Sequence, residues 1–598
     1  MTAFGAIIDA NSQTKAVFVR ALEEHFDEYY GGPANSTSIG NLECHWRACA
    51  SAPISTAHDG TTTAWVFGHI DEVQGPKPAY AEFVMSHFRA KGIAGLACYG
   101  GFFLSIVCDR DDYYVFADRL GLFPCYYTVR SDRLLLGSSS DIPGFHPEVS
   151  RRLNRKGLIG HLLCMHEVLS ETLWEGCRRL DAGEILHFSQ RGVEVSWEPS
   201  IPISDESFGL PYEDQLENAH AAMLQAFEPY RGQRVRMLCS GGLDSRLVAG
   251  YLGQLGARVE AAYTLGMPTD LEFRCARKVC RALDLPQQQI SVNLSRYCHY
   301  ADKQIVTMQL ANGFNDLAWW SLLEQVPDTG VPLVSGLCGD NILGGSYISW
   351  GYDASVQKHS FEKLFGNVNR YGLPCDLVCK LLPGDDTVGL VAEMVERLRQ
   401  CYERLPGYGF QKTWHFNLLH RVRFHLGGVL VCISHAVWPS TPLACSPVLA
   451  VAGGVPACAI LGRRLQKDLL ITRFPRLARL PLDRNSLNTR PLAPSIAYRI
   501  KNKIARMSGM RKLRHDQRED RYYYRLYDIN NEGWRLVRDA CNRVAEALPA
   551  VVDPTVWRTI LPDPSVPIKV QDPIKDVSGA KSLLGFTMWY ERHAGDFR

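Results

Sequence analysis

The sequence predicts two domains in series, a β-rich sandwich followed by a parallel α/β sheet with helices on both faces. Three observations predict it. A chain of 598 residues is too long for one core, since single cores stop growing at about 250–300 residues. Up to about residue 200, short β-prone runs such as 63–68, 102–107 and 113–116 lie between Gly and Asp turns, the pattern of a sandwich. Past the Pro- and Ser-bearing stretch 197–211, strand-length runs alternate with helical ones, which builds a parallel sheet covered on both sides. The boundary falls near residue 210.

Taking the second half in order, 234–239 reads as a strand, 245–256 as a helix, 259–265 as a strand, 271–283 as a helix and 289–292 as a strand, a repeating βαβ unit. Beyond residue 350 the pattern is mainly helical. The stretch 424–462 has no Asp, Glu, Lys or Arg, long enough to raise the question of a membrane span. Gly427-Gly428, Pro439, Pro442, Pro447, Gly453-Gly454 and Pro456 break it into short apolar runs, so it reads as buried core or pocket wall.

Lys and Arg number 65 against 63 Asp and Glu, a net charge of +2. No molecule-wide field then favours nucleic acid or an anionic membrane, and neither is expected as a partner. The first residues lack a basic start followed by an apolar run, so the expected location is cytoplasmic. The 19 cysteines are scattered without paired zinc spacing and read as reduced, buried thiols. His161, Cys164 and His166 lack a fourth ligand nearby and read as structural. The basic stretch Arg499, Lys501, Lys503, Arg506, Arg511, Lys512, Arg514, Arg518 and Arg521 reads as a solvated helix face.

The strongest chemical signal is Ser240-Gly241-Gly242-Leu243-Asp244-Ser245, set between a predicted strand and a predicted helix. Two glycines let the backbone approach a ligand closely. The helix start aims N–H groups and a partial positive charge at it, and two hydroxyls add donors, together a phosphate cradle. Asp244 is placed to hold the Mg²⁺ that a polyphosphate brings. No Walker Gly-Lys-Ser/Thr closes the motif. A second constellation, Ser335-Gly336-Leu337-Cys338-Gly339-Asp340-Asn341, also follows a strand. Strand ends of a doubly wound sheet meet at a ligand crevice, so Asp244 and Asp340 flank one metal–pyrophosphate site.

These motifs, with Gly101-Phe102-Phe103, Cys108-Asp109, the run 116–127 and Leu180-Asp181-Ala182-Gly183-Glu184, resemble the asparagine-synthetase-like ATP pyrophosphatases with a class II glutamine-amidotransferase-type N-terminal domain. The resemblance covers the chain to about residue 490. It implies an N-terminal α+β fold of Ntn-type β-sandwich over 1–210, and over 211–598 a doubly wound parallel sheet of the PP-loop type with extra helices and a basic C-terminal part. By the resemblance Ser240, Gly241, Gly242, Ser245 and Gly336 hold ATP phosphates, Leu265 and Gly266 contact the nucleoside, and Asp244 and Asp340 bind Mg²⁺. The implied chemistry is attack of a carboxylate on the α-phosphorus with loss of pyrophosphate.

The departures from the family narrow the function. Glutamine-using members have a nucleophilic cysteine where this chain has Thr2, so glutamine hydrolysis is expected to be lost and the amine to belong to the substrate. Leu337 and Asn341 replace two acids of the second loop. The family's transition-state lysine has no clear counterpart, with Arg484 the expected catalytic cation and Lys467 the second choice. Among branches without the glutaminase cysteine, the lasso peptide cyclases fit best: ATP-dependent ligases that join a precursor peptide's N-terminal amine to an Asp or Glu side chain in ribosomal-peptide antibiotic biosynthesis. A leader-peptidase protein is a further expected partner. A β-lactam-synthetase-like cyclase, asparagine-synthetase-type amidation and a degenerate scaffold are the alternatives.

Overall fold

The computed structural model describes residues 2–73, 79–130, 132–482, 490–507, 521–544, 548 and 551–597. In the N-terminal part, twelve strands form two six-stranded sheets, each antiparallel between neighbours. Strand Ala3–Asp9 is central in the first and Gly101–Asp109 lies within the second. The sheets face each other through aromatic rings: Phe4 lies 6.5 Å from Trp65 and 6.4 Å from Phe67.

The outer faces are covered as well. Helix Ser12–Tyr29 packs Phe18, Leu22 and Phe26 on Ala3 and Ile7, and helix Tyr80–Lys91 packs on Ala64 and Val66. Strand residues of both parities are therefore buried, which is why 3–8 and 63–68 read as continuous apolar runs rather than alternating ones. Asn11 starts the first helix, its side chain accepting from the backbone N–H of Gln13 and Thr14.

The second part is built on a five-stranded sheet, in spatial order Gln287–Ile290, Arg258–Leu265, Arg234–Leu238, Leu333–Val334, Pro439–Ser440, with every neighbouring pair parallel. Strand order reverses between Arg234–Leu238 and Leu333–Val334, the topological switch at which doubly wound sheets open a crevice. The fold is thus an α+β sandwich joined to a doubly wound α/β domain, as the sequence predicts. The largest shifts from the sequence reading are of two residues. The helix after the first strand is Leu243–Gln254, and the edge strand covers Gln287–Ile290, whose three glutamines hide it from a hydrophobic pattern.

The uncharged stretch 424–462 supplies helix Gly427–Ser434, strand Pro439–Ser440 and helix Ser446–Gly454, and most of it is buried. Among the described residues no single helix is long and apolar enough to cross a membrane; the pair Ser446–Gly454 and 457–473 passes on composition together, but is bent by 120°. From this stretch Trp438 enters the sandwich. It is 2 % exposed, stacks on Phe67 at 6.0 Å, lies 5.3 Å from Phe102 and donates from Nε1 to His69 Nδ1 at 2.8 Å. Arg423, also buried, donates to Asp181 and the Leu180 carbonyl, so both halves share one apolar and polar seam.

Helix Ser578–His593 closes the molecule against both parts, with Trp589 4.8 Å from Trp174. Its Lys581 is fully buried, donates to the Tyr527 carbonyl at 2.5 Å and lies 4.5 Å from the Trp534 ring. Burial pushes its ammonium down from the ordinary 10.5 to about 7. Between these two pH values the unfolded chain holds a proton that the native protein has released, so stability rises with pH across the window. Lys581→Met is expected to flatten that rise, as checked by denaturation midpoints taken at intervals through it; an unchanged slope would assign the proton elsewhere.

Candidate active site

The first loop leaves strand Arg234–Leu238 held by two bonds to its neighbour strand: Cys239 N–H donates to the Tyr263 carbonyl at 2.8 Å, and Thr264 Oγ1 donates to the Cys239 carbonyl at 2.8 Å. Gly241 follows at φ +72°, and a Cβ there would lie 2.5 Å from Ala276 N, so only glycine fits both the dihedral and the space. Gly242 is the N-cap of helix Leu243–Gln254, and no side chain caps it. The first N–H groups of that helix are therefore left for a ligand. Ser240 and Ser245 stand at its mouth with their hydroxyls 3.4 Å apart.

Arg246, one residue past the motif, locks this loop. It is fully buried and donates to the carbonyls of Gly241 at 3.0 Å, Leu477 at 2.7 Å, Leu480 at 3.1 Å and Pro481. The loop backbone is thereby tied to the Leu480-Pro481 turn, more than two hundred residues on. Sequence reasoning missed Arg246; the available signal was a charged residue on a helix whose next five residues are apolar or Gly.

The second loop packs directly on the first. A Cβ on Gly336 would lie 2.8 Å from Asp244 Cβ, and one on Gly339 would lie 2.8 Å from Asp244 Oδ1. Glycine at both positions lets the two Asp-bearing loops approach. Asp340 follows, accepting from Asn341 Nδ2 at 2.6 Å, and its carboxyl is held above the usual range by burial first and by the charge of Asp244 second. Asp244 accepts from Arg463 Nη2 at 2.7 and 2.6 Å and from Gln466 Nε2 at 2.7 Å. Gln466 also donates to the Gly339 carbonyl at 2.9 Å, bridging the loops. Neither Arg463 nor Gln466 stands out in the sequence.

Leu265 and Gly266 end the next strand. Gly266 donates to the Ile290 carbonyl at 2.9 Å, its carbonyl accepts from Gln289 Nε2 at 2.9 Å, and Tyr522 Cβ lies 3.2 Å from where its own Cβ would be. The C-terminal segment therefore crosses this strand end, pinned by Arg525 to Asp270 at 2.7 Å and Arg521 to Glu272 at 3.3 Å. Arg521 is buried with Glu272, not on a solvated face as the sequence reading has it; Arg511, Lys512, Arg514 and Arg518 lie outside the described residues. Arg484 also lies outside them, and Lys467 donates to the Gly462 carbonyl at 2.5 Å.

The structure thus brings Ser240, Gly241, Gly242, Asp244, Ser245, Gly336 and Asp340 together at the switch crevice, with Leu265 and Gly266 one strand away. The residues fit magnesium and a polyphosphate. Magnesium takes one or two carboxylates and completes its shell with water and phosphate oxygens, so two Asp suffice, provided Arg463 releases Asp244. When bound, the metal neutralises charge on the phosphates. The chain itself supplies backbone donors from the uncapped helix, the Ser240 and Ser245 hydroxyls and the cation Arg463, a set suited to positioning and charge stabilisation. An open cavity of about 940 Å³ between 31–56 and 323–328 shares none of these residues and lies apart from this chemistry.

Asp244→Ala and Asp340→Ala are each expected to fold and to lose ATP-dependent pyrophosphate release by about a hundredfold or more. Wild-type rates in either folded variant, measured by pyrophosphate release, would remove that aspartate from the metal.

Comparison with known proteins bears on the two parts of the chain. The glutamine amidotransferase domain family matches residues 78–197 and the asparagine synthase family residues 212–417. "Asparagine synthetase [glutamine-hydrolyzing] 3" of Bacillus subtilis (strain 168) is 22% identical over 283 residues, which cover 43% of this chain and 45% of that protein. The chain thus aligns with less than half of that relative's length. Two solved structures are matched at 10% identity and TM-score 0.23, too loosely to argue from: glutamine phosphoribosylpyrophosphate amidotransferase of B. subtilis with ADP and GMP, over 58% of this chain and 77% of that one, and the allosteric regulatory enzyme of purine biosynthesis, over 48% and 65%. Residues 78–197 are thus similar to glutamine amidotransferase domains and residues 212–417 to asparagine synthases, an asparagine-synthetase-like arrangement in which both Gly-rich aspartate loops meet at the switch of a parallel sheet.

Proposed function

We propose that this protein is an ATP-dependent C–N ligase that closes a macrolactam in a precursor peptide, with residues 1–210 as a silent amidotransferase-like domain and 211–598 as the synthetase. One observation carries the choice of an internal amine over glutamine. Thr2, at the head of the first strand, is 6 % exposed; its N–H donates to His435 Nδ1 at 3.2 Å and its Oγ1 to the Ser434 carbonyl at 2.7 Å. The synthetase half thus engages both polar atoms of the residue where glutamine-using relatives place their nucleophile. Trp438 fills the adjoining aromatic interior. Ammonia would then have no source in the first domain.

In the proposed reaction an oxygen of a peptide Asp or Glu side chain attacks the α-phosphorus, the α–β bridging bond breaks and pyrophosphate leaves. The peptide's N-terminal amine then attacks the acyl carbon, loses a proton and displaces AMP. Ser240, Ser245 and the uncapped helix start would orient the phosphates, with Asp244 and Asp340 holding Mg²⁺. Tethering the amine to the activated acid raises its effective concentration and disfavours hydrolysis.

Given ATP, Mg²⁺ and a peptide with a free N-terminus and an internal Asp or Glu, the protein is expected to release AMP and pyrophosphate and to lower the peptide mass by one water. Replacing the internal acid by Asn or Gln should stop both. Dehydration of a small β-amino acid with the cognate peptide inert would favour a β-lactam-forming cyclase. Reaction with free ammonia alone would favour asparagine-synthetase-type amidation.

Glutamine is expected to yield no glutamate, with or without ATP. Glutamate formation by the pure protein that disappears in Thr2→Ala would overturn the silent-domain reading.

A further inference from the structure

Helix Gly409–Asn417 runs into a segment wound as a π-helix, Leu418–Leu426. Such windings are rare and concentrate at functional sites. This one sends Arg423 toward Leu180 and Asp181 and Arg421 toward the second loop. Arg421 is 7 % exposed. Its guanidinium is caged by three rings, at 4.1 Å from Tyr371, 5.4 Å from Tyr347 and 5.8 Å from Trp350. Its Nε donates to Tyr347 Oη at 3.1 Å.

The other arginines near the crevice have acceptors: Arg246 four carbonyls, Arg423 Asp181, Arg463 Asp244. Among the described residues no carboxylate forms an ion pair with Arg421, and neither terminal nitrogen makes a hydrogen bond; nor is either sealed among protein atoms. Tyr347 in turn follows the Asp340 loop through Ser346, whose N–H donates to the Asp340 carbonyl at 2.9 Å. Arg421 is close enough to Asp340 to act on its charge. A buried guanidinium with no carboxylate in direct contact is left short of acceptors unless an anion completes it.

Resting on the ligase reading, we propose that Arg421 binds the substrate carboxylate that the site activates, its planar fork holding both oxygens. Bidentate pairing of this kind fixes orientation as well as position. One oxygen is then presented toward the phosphates held by the Asp244 and Asp340 loops. The same contact would select acid over amide, because Asn or Gln would leave the guanidinium buried and unpaired.

The test uses binding, with acetyl-aspartate amide and acetyl-glutamate amide as carboxylate probes and acetyl-asparagine amide as the uncharged control. In the full-length wild type a saturating carboxylate probe should raise the denaturation midpoint by about 2 °C or more, and the control should not. Arg421→Gln should lose that shift, Arg421→Lys should keep part of it, and both should retain wild-type affinity for Mg-ATP by calorimetry. No shift in the wild type, or the same shift in Arg421→Gln, overturns the proposal. Lost Mg-ATP affinity in Arg421→Gln with the carboxylate shift intact assigns Arg421 to the nucleotide instead. Failure of the wild type to bind Mg-ATP sinks the ligase reading itself, and the carboxylate shift still decides Arg421.

Discussion

The structure depends on the close approach of two strand-end loops at the point where strand order reverses. Burial and the neighbouring Asp244 both disfavour the charged form of Asp340, so the loops meet only because other forces hold them there. Gly336 and Gly339 give the space, since a Cβ at either would press on Asp244. Gln466 bridges the loops, Arg463 neutralises Asp244, and Arg246 ties the first loop to the Leu480-Pro481 turn. The result is a preorganised, charge-strained pocket whose strain a metal and a polyphosphate would relieve, consistent with sites that stabilise charge without reorganising.

The same buried cations couple this pocket to the rest of the molecule. Arg423 leaves the π-helix for Asp181 and Leu180 in the sandwich, while Arg421, two residues earlier, faces the second loop. A single irregular helix therefore faces both the domain seam and the strand-end crevice. The seam itself is apolar at Trp438 and polar at Thr2, His435 and Ser434. Its burial makes the first domain a structural support for the second, whatever its catalytic competence.

Much of the site was legible because the requirements of a phosphate loop are local. A tight turn, a helix start and two hydroxyls must follow one strand within a few residues, so Ser240 to Ser245 declared themselves, and Asp340 did so by the same logic. The edge strand Gln287–Ile290 was read two residues late because its glutamines carry no hydrophobic signal, and its place is fixed by pairing with Ala262 to Leu265. Arg521 looked solvated within a basic run, yet it is buried against Glu272.

By itself the sequence determined the two-part architecture, the parallel sheet and the aspartate loops, because periodicity and turn chemistry are written in neighbouring residues. Only the tertiary structure decided which distant side chains complete the crevice: Arg246 with Leu477, Arg463 and Gln466 with Asp244, Arg421 with Tyr347 and Tyr371, and Trp438 inside the sandwich. A buried polar side chain must find its acceptor wherever the topology brings one, and spacing along the chain carries no record of that meeting.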